Sequence, residues 1–243
     1  KEISEKEITL AIAKKTTAAL KRLGVESRLT RDTDQVVLLD SRTATANEAS
    51  KKHRDTVFVS IHANSTSEPH SSGVEIFVFN ATTNEASSRL SDIENGSHRI
   101  AKKGVLDLIF SDLSASSYYA DSVSLACQTN QELFKALKED TPADRTFTIR
   151  NRGVRHGLFY VLMGARAPSI LIEVGFLSEP REAALLASES YQEILARGIA
   201  KGIVSWSRSK KSARLALRDK GGALKVSGIQ KRTDSPGTIT CNP

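Results

Sequence analysis

Cysteine, methionine, tryptophan and aromatic residues in general are scarce in this chain. Its 243 residues include two Cys, one Met and one Trp, and the aromatic share is 5%. Cys127 and Cys241 stand far apart and neither belongs to a CxxC pair, which argues against a thiolate metal site. Their pattern gives a disulfide between them little support. No apolar run approaches the roughly 20 residues that a membrane helix needs. A leader is lacking too: the chain opens on Lys1-Glu-Ile-Ser-Glu5, as a mature or trimmed segment does. Charge excess is absent from most of the length. From Arg208 onward nine Lys/Arg face two Asp/Glu, while residues 1–207 balance 26 against 26. The net charge of +7 therefore belongs to a basic C-terminal tail, residues 208–243. A charge-balanced body with few aromatics for base stacking speaks against a nucleic-acid binder.

What is present reads as alternating helices and strands. Residues 5–23 form an amphipathic pattern, with Ile8, Ile12, Ala19 and Leu23 at helical spacing and lysines on the other face. Ser4 suits the N-cap, with Glu7 as its capping-box partner, and Gly24 suits the position after the last turn. Residues 25–29 predict a short strand. Residues 38–52 predict a second helix with Leu39, Ala46 and Ala49 turned inward. Residues 56–61 are an apolar, β-rich run that ends on His62-Ala-Asn64, and residues 74–79 are another strand. From 81 to about 138 the chain turns polar and helix-like, with no convincing strand. Residues 157–162 and 169–173 predict the last two strands, and Tyr191 to Trp206 the closing helix. Beyond Trp206 the composition is linker-like. The class is α/β: a mixed, mostly parallel twisted sheet with helices on both faces and an inserted helical segment.

Two polar groups close apolar runs. Pro168-Ser-Ile-Leu-Ile ends on Glu173, and the 56–61 run ends on His62. In open α/β sheets, ligands bind just past the carboxyl ends of strands. A carboxylate buried there needs a metal, a cation or hydrogen-bond donors. A strand-end Glu paired with a nearby Arg satisfies that need as well as a metal does. His62 is open to two readings in the same way, as a satisfied core histidine or as a metal ligand. Catalytic zinc sites take three protein ligands from His, Glu, Asp or Cys and leave one position open.

Five ordered motifs bear on that choice. They are Glu5-Lys-Glu-Ile-Thr-Leu10, Leu29-Thr-Arg-Asp32, Phe58-Val-Ser-Ile-His-Ala-Asn64, Arg152-Gly-Val154 with Phe159-Tyr-Val-Leu162, and Pro168-Ser-Ile-Leu-Ile-Glu-Val-Gly-Phe-Leu-Ser178. Over residues 1–207 the chain resembles the zinc-dependent N-acetylmuramoyl-L-alanine amidases of the third amidase family, cell-wall hydrolases with an α/β fold. The resemblance implies a catalytic domain over 1–207, with Zn2+ held by Glu5 and His62. It implies Glu173 as the catalytic carboxylate, with Arg31 and Asn64 as supporting groups. It also implies an opening strand that runs into Asp-Pro-Gly-His-Gly-Gly, whose histidine is the first zinc ligand. No Gly-His-Gly-Gly occurs in this chain, and His53, His70, His98 and His156 stand outside ligand motifs. Either that histidine lies upstream in the parent protein or the chain is an inactive relative. The otherwise intact site motifs favour the former.

Residues 81–138 resemble the helical insertion of division-associated amidases of diderm bacteria. In those enzymes it blocks the zinc until a LytM-type activator displaces it. Glu85-Ala-Ser-Ser-Arg-Leu-Ser-Asp-Ile-Glu-Asn95 and Asp107-Leu-Ile-Phe-Ser-Asp-Leu113 look like parts of it. An acidic side chain on such a lid would occupy the metal's open position, and Glu94 is the candidate. A solvated lid with no regulatory role is the plainer reading. The function implied is cleavage of the amide between N-acetylmuramic acid and L-alanine of peptidoglycan, in a periplasmic or envelope setting. The alternative is a non-catalytic peptidoglycan-binding relative that has lost its first zinc ligand.

Overall fold

The structure, a computed structural model, describes residues 4–68, 71–80, 84–96, 105–140, 148–219 and 237–241. His70 and His98 lie outside the described residues. The elements run α1 (Glu5–Arg22), α2 (Leu39–Lys52), β1 (Phe58–Asn64), β2 (Val74–Phe79), α3 (Glu85–Asn95) and α4 (Val105–Asp140). They continue with β3 (Asn151–Gly157), α5 (Tyr160–Met163), β4 (Ser169–Phe176), α6 (Pro180–Leu186), α7 (Glu189–Asp219) and β5 (Thr238–Ile239). The five strands form one sheet in the order β1-β4-β2-β3-β5. The pairs β1–β4 and β2–β3 are parallel with long registers, and β2–β4 and β3–β5 are short antiparallel pairs. The α/β class and the mixed sheet are as expected.

Every residue of β2 and β4 is buried, because helices cover both faces of the sheet centre. Alternation along each strand sends neighbouring side chains to opposite layers. Ile170, Ile172, Ile76 and Val78 meet Ile8 and Ile12 of α1, Leu125 and Leu133 of α4 and Ile199 of α7. Leu171, Phe77 and Phe58 meet Ala46 of α2, Leu90 of α3, and Phe159 and Leu162 around α5. Full burial of such side chains stabilises by about 1.5–3 kcal/mol each. Helices α4 and α7 pack closely because α7 carries glycines at the crossing. A Cβ on Gly198 would lie 2.7 Å from the Cα of Leu133, and one on Gly202 would lie 2.4 Å from the Cα of Thr129.

Several expectations are corrected. Residues 25–29 form no strand. A strand exists only when it is paired, and no described strand lies on the outer side of β1. The third strand is Asn151–Gly157, and residues 160–163 are a single helical turn. The polar side chains of β3 disguise it, while Phe159, Val161 and Leu162 form an apolar plug under Phe77 and Leu171. Ser4 occupies the N-cap of α1 but makes no side-chain cap bond. The last helix begins at Glu189 and continues past Trp206 to Asp219. The segment read as linker-like contributes β5, with Ile239 opposite Val154 and Thr238 opposite Arg155.

The two cysteines, given little support as a pair, form a disulfide across a sequence separation of 114, with a Cα–Cα distance of 5.4 Å. Sequence distance concealed what the return of the chain to the β3 edge makes close. Closing so long a loop restricts the unfolded chain, an effect of about 4–5 kcal/mol in the chain-entropy account. The double variant C127S/C241S is expected to lose about 2–5 kcal/mol of unfolding free energy. Equilibrium denaturant titration measures this, and an unchanged midpoint would exclude a structural role for the bond.

Candidate metal centre

The chemistry gathers in the carboxyl halves of β1 and β4; Glu173, expected to end its strand, lies inside β4, which runs on to Phe176 because that whole stretch is buried. In the sheet register His62 lies opposite Glu173, and Glu173 lies opposite Glu75 on the next strand. Register partners on adjacent strands share a face, so the three side chains form one row. The register of β1 against β4 shifts between His62 and Asn64. Glu5, the first residue of α1, reaches this corner from the side. Its Oε1 lies 3.2 Å from His62 Nδ1 and accepts the Ala63 N–H at 3.2 Å.

A second carboxylate meets the same ring nitrogen. Glu94, near the end of α3, brings Oε2 to 2.9 Å from His62 Nδ1. Ligand atoms of Glu5, His62 and Glu94 all lie within 4.8 Å of one another. One imidazole nitrogen between two carboxylate oxygens is a donor set that suits a divalent cation of the zinc type. Burial opposes charge on His62, yet its bonds to Glu5 and Glu94 and the fields of Glu173 and Glu94 push it up to about 10. For Glu5, burial raises the carboxyl, but His62, the Ala63 N–H and Arg42 together hold it below its ordinary value. The other ring nitrogen, Nε2, lies 3.1 Å from Ser60 Oγ.

Glu173 is fully buried, and neither carboxylate oxygen has a hydrogen-bond partner among the described residues. Burial lifts it well above the usual carboxylate range. His62 pulls it down, and Glu94, Glu5 and Glu75 add to the rise. A buried carboxyl without donors, one strand from a cluster of metal-type ligands, is poised to exchange a proton with a bound group.

Around this core the neighbours are held in place. Arg31 bonds the Lys6 carbonyl at 2.6 Å, Thr9 Oγ1 at 3.4 Å and the Thr33 carbonyl at 3.3 Å. It ties the 30–33 loop to the first turn of α1, which carries Glu5. Asn64 donates from Nδ2 to Glu75 Oε1 at 3.3 Å, and its carbonyl accepts the Leu177 N–H at 2.7 Å. Glu94 is held in place by the residue after it. Buried Asn95 accepts the Tyr160 N–H at 2.7 Å and donates to the Leu158 carbonyl at 2.8 Å. At the other end of α3, Asn84 caps the helix by accepting the Ser87 N–H at 2.8 Å.

Three groups at this corner escaped the sequence reading. Glu75 lies buried in β2, with Oε2 3.0 Å from Arg152 Nε and 3.3 Å from Arg155 Nε. A lone charge inside an apolar strand was a usable signal for it. Arg42 of α2 is half-buried, which lowers its affinity for the proton. Arg31 adds to that, while Glu94 and Glu5 oppose it. Glu182 accepts the N–H groups of Gly73 and Phe176, each at 2.6 Å, and so joins the loops after β1 and β4. No local pattern marks either of those two.

The state of Glu173 generates a test on chelator-treated protein. A carboxyl whose folded value is raised contributes its stability fully below its unfolded value, and that contribution is lost as pH rises toward the folded value. Glu173→Gln carries no ionisable proton there. Its stability relative to wild type is therefore expected to improve between pH 5 and pH 8, by about 1.4 kcal/mol for each pH unit over which wild-type Glu173 pays to stay protonated. Denaturant midpoints of both proteins at the two pH values measure this. A constant difference would contradict the assignment.

Comparison with known proteins identifies the family. Residues 1–205 match the family model described as N-acetylmuramoyl-L-alanine amidase. The chain is 27% identical over 206 residues to N-acetylmuramoyl-L-alanine amidase AmiA of Escherichia coli K12, covering 83% of this chain and 68% of that one. It is 30% identical over 210 residues to N-acetylmuramoyl-L-alanine amidase AmiC of Neisseria meningitidis, covering 83% of this chain and 47% of that protein. Among solved structures it is similar to an N-acetylmuramoyl-L-alanine amidase from Clostridium difficile 630, at a TM-score of 0.61 and 27% identity, covering 85% of each chain. It is likewise similar to AmiC2 of Nostoc punctiforme, at a TM-score of 0.58 and 30% identity, covering 84% of each chain. With most of its length matched, its sheet and helices in the same fold and its polar groups gathered at one strand-end corner, the chain belongs to the N-acetylmuramoyl-L-alanine amidase family.

Proposed function

We propose that this chain carries the catalytic domain, residues 1–207, of a zinc-dependent peptidoglycan hydrolase whose site is closed by α3. The bond cut is the amide between the lactyl group of N-acetylmuramic acid and L-alanine of the stem peptide. The observation that carries the reading is the placement of His62 Nδ1 between Glu5 Oε1 and Glu94 Oε2, with the partnerless carboxyl of Glu173 on the neighbouring strand. Glu5 and His62 would hold the metal. Glu94 would supply a third donor in the closed state and would leave that position free when α3 lifts. Zinc, when bound, provides a Lewis acid for the amide carbonyl and makes water acidic enough to attack at neutral pH.

The protein's own part follows from the geometry. Glu173 takes the proton of the attacking water at its carboxylate and passes it to the leaving nitrogen of L-alanine. Its buried position keeps its proton affinity high enough for that exchange. Arg31 keeps the start of α1 in place so that Glu5 stays on the metal. Asn64, anchored on Glu75, shapes the floor of the cleft. Helix α3 excludes the glycan strand until a partner, of the LytM activator type, stabilises the open state. Such a partner works only by binding the open form more tightly than the closed one. A disulfide fits a periplasmic or envelope location, where thiols oxidise. The basic residues from 208 onward are suited to an anionic envelope surface.

Metal analysis combined with release of dye-labelled peptide from peptidoglycan tests the division of roles. Glu173→Ala is expected to retain zinc and to lose hydrolysis by about 100-fold or more, since a general base need not be a ligand. His62→Ala is expected to lose both. Equal metal loss in the two variants would make Glu173 a ligand and sink the assignment. A parent protein that binds muropeptides but neither holds zinc nor releases product would establish the non-catalytic alternative. For the closed state, Glu94→Ala at saturating zinc is expected to raise activator-free release by about ten-fold. A folded variant no faster than wild type would exclude restraint by Glu94.

A further inference from the structure

The end of the described chain returns to the helix that carries Glu94. Residues 237–241 lie along the outer edge of β3: the His156 N–H donates to the Gly237 carbonyl at 2.9 Å, and Thr238 and Ile239 pair with Arg155 and Val154. Ile239 and Cys241 pack on the core that includes α4 and α7. The disulfide from Cys241 to Cys127 fixes this short segment to α4. At its other end Gly237 is buried against the start of α3. A Cβ there would lie 3.1 Å from the Asn84 backbone nitrogen and 3.5 Å from its Nδ2. Asn84 is the residue that caps α3. The backbone of Gly237, at φ +83, occupies a conformation that favours glycine, so the close approach and the turn call for the same residue.

A strand of two residues is too short to hold itself on a sheet edge. Its position depends on the covalent link. Helix α3 has only 11 residues, below the length at which an isolated helix is stable in water. Its position depends on contacts at its ends: Asn95 on the 158–160 backbone at one end, and Gly237 beside Asn84 at the other. We propose that residues 237–241 are a disulfide-fastened strap on the capped end of α3, and that the Cys127–Cys241 bond sets how readily α3 lifts Glu94 away from His62. The inference rests on the reading of α3 as the closing element. Both cysteines are half-buried rather than sealed in the core. A dithiol reductant would deliver two electrons and two protons to the S–S bond, leaving two thiols here and a disulfide on the donor. The strap would then be released and the open state favoured. Oxidation would restore the closed state.

Hydrogen exchange measured on the full chain, with zinc present, tests the strap without relying on catalysis. In C127S/C241S, the amides of α3 are expected to exchange at least about ten-fold faster than in wild type through local opening, while those of α1 and β4 quicken only as far as the global loss of unfolding free energy requires. Gly237→Ala, with the disulfide verified by thiol titration, is expected to accelerate the same α3 amides, because the added methyl crowds the Asn84 nitrogen and the positive φ disfavours a side chain there. If residues 237–241 exchange faster in C127S/C241S while α3 keeps its wild-type rate, the strap only edges the sheet and the proposal is overturned. If the cysteine variant loosens throughout, the alanine variant decides: wild-type exchange in α3 there also overturns it. Peptide release by Glu94→Ala, read alongside, separates the two ideas. An α3 that loosens on strap release, with release insensitive to Glu94, would leave the strap standing and remove the restraint.

Discussion

A fully buried carboxyl with no hydrogen-bond donor among the described residues is the constraint that organises this molecule. Ionising Glu173 in that position would cost several kcal/mol if nothing compensated it. The compensation comes from one side only, through the positive His62 in the register position beside it. His62 owes its own charge to Glu5 and Glu94. Each member of the row therefore depends on the next for its protonation state. A divalent cation placed among Glu5, His62 and Glu94 would take over the role that the imidazolium plays without it.

The fold meets this constraint by placing the row at the end of a sheet that is otherwise apolar. Strands β2 and β4 are sealed on both faces, so the carboxylates of Glu75 and Glu173 cannot reach bulk water. Glu75 is satisfied by Arg152, Arg155 and Asn64. Glu173 has no such partner among the described residues, so two carboxyls on adjacent strands sit in opposite environments. Glu182 joins the two loops beyond the strand ends and keeps the corner from spreading.

Helix α3 covers the corner through few large side chains. Helix α3 buries Leu90 and little else that is large, and it is held at its ends by amide side chains. Elements with few apolar contacts open at lower free energy than the core they cover. The disulfide sits on the far side of the sheet edge from the site, yet the chain it fastens touches the cap of α3. Edge strand, cap and Glu94 are consecutive contacts between the disulfide and the candidate metal position.

Much of this was legible in the chain itself. Continuous apolar runs after Pro168 and before His62 announced strands covered on both faces, and the Ile8–Ile12 spacing announced α1, because a period of 3.6 records which face of a helix is covered. Ordered motifs pointed to Glu5, His62 and Glu173, and the fold brings all three to one corner. The polar pattern of β3 hid a strand whose partners satisfy its charges, and residues 25–29 looked like a strand but found no partner. Periodicity carries no information about which distant segments meet. The Asn95 clasp, the pairing of Glu75 with two arginines and the Cys127–Cys241 bond all join residues far apart in sequence. Only the tertiary structure decided them, since each depends on where helices and returning chain ends come to rest on the sheet.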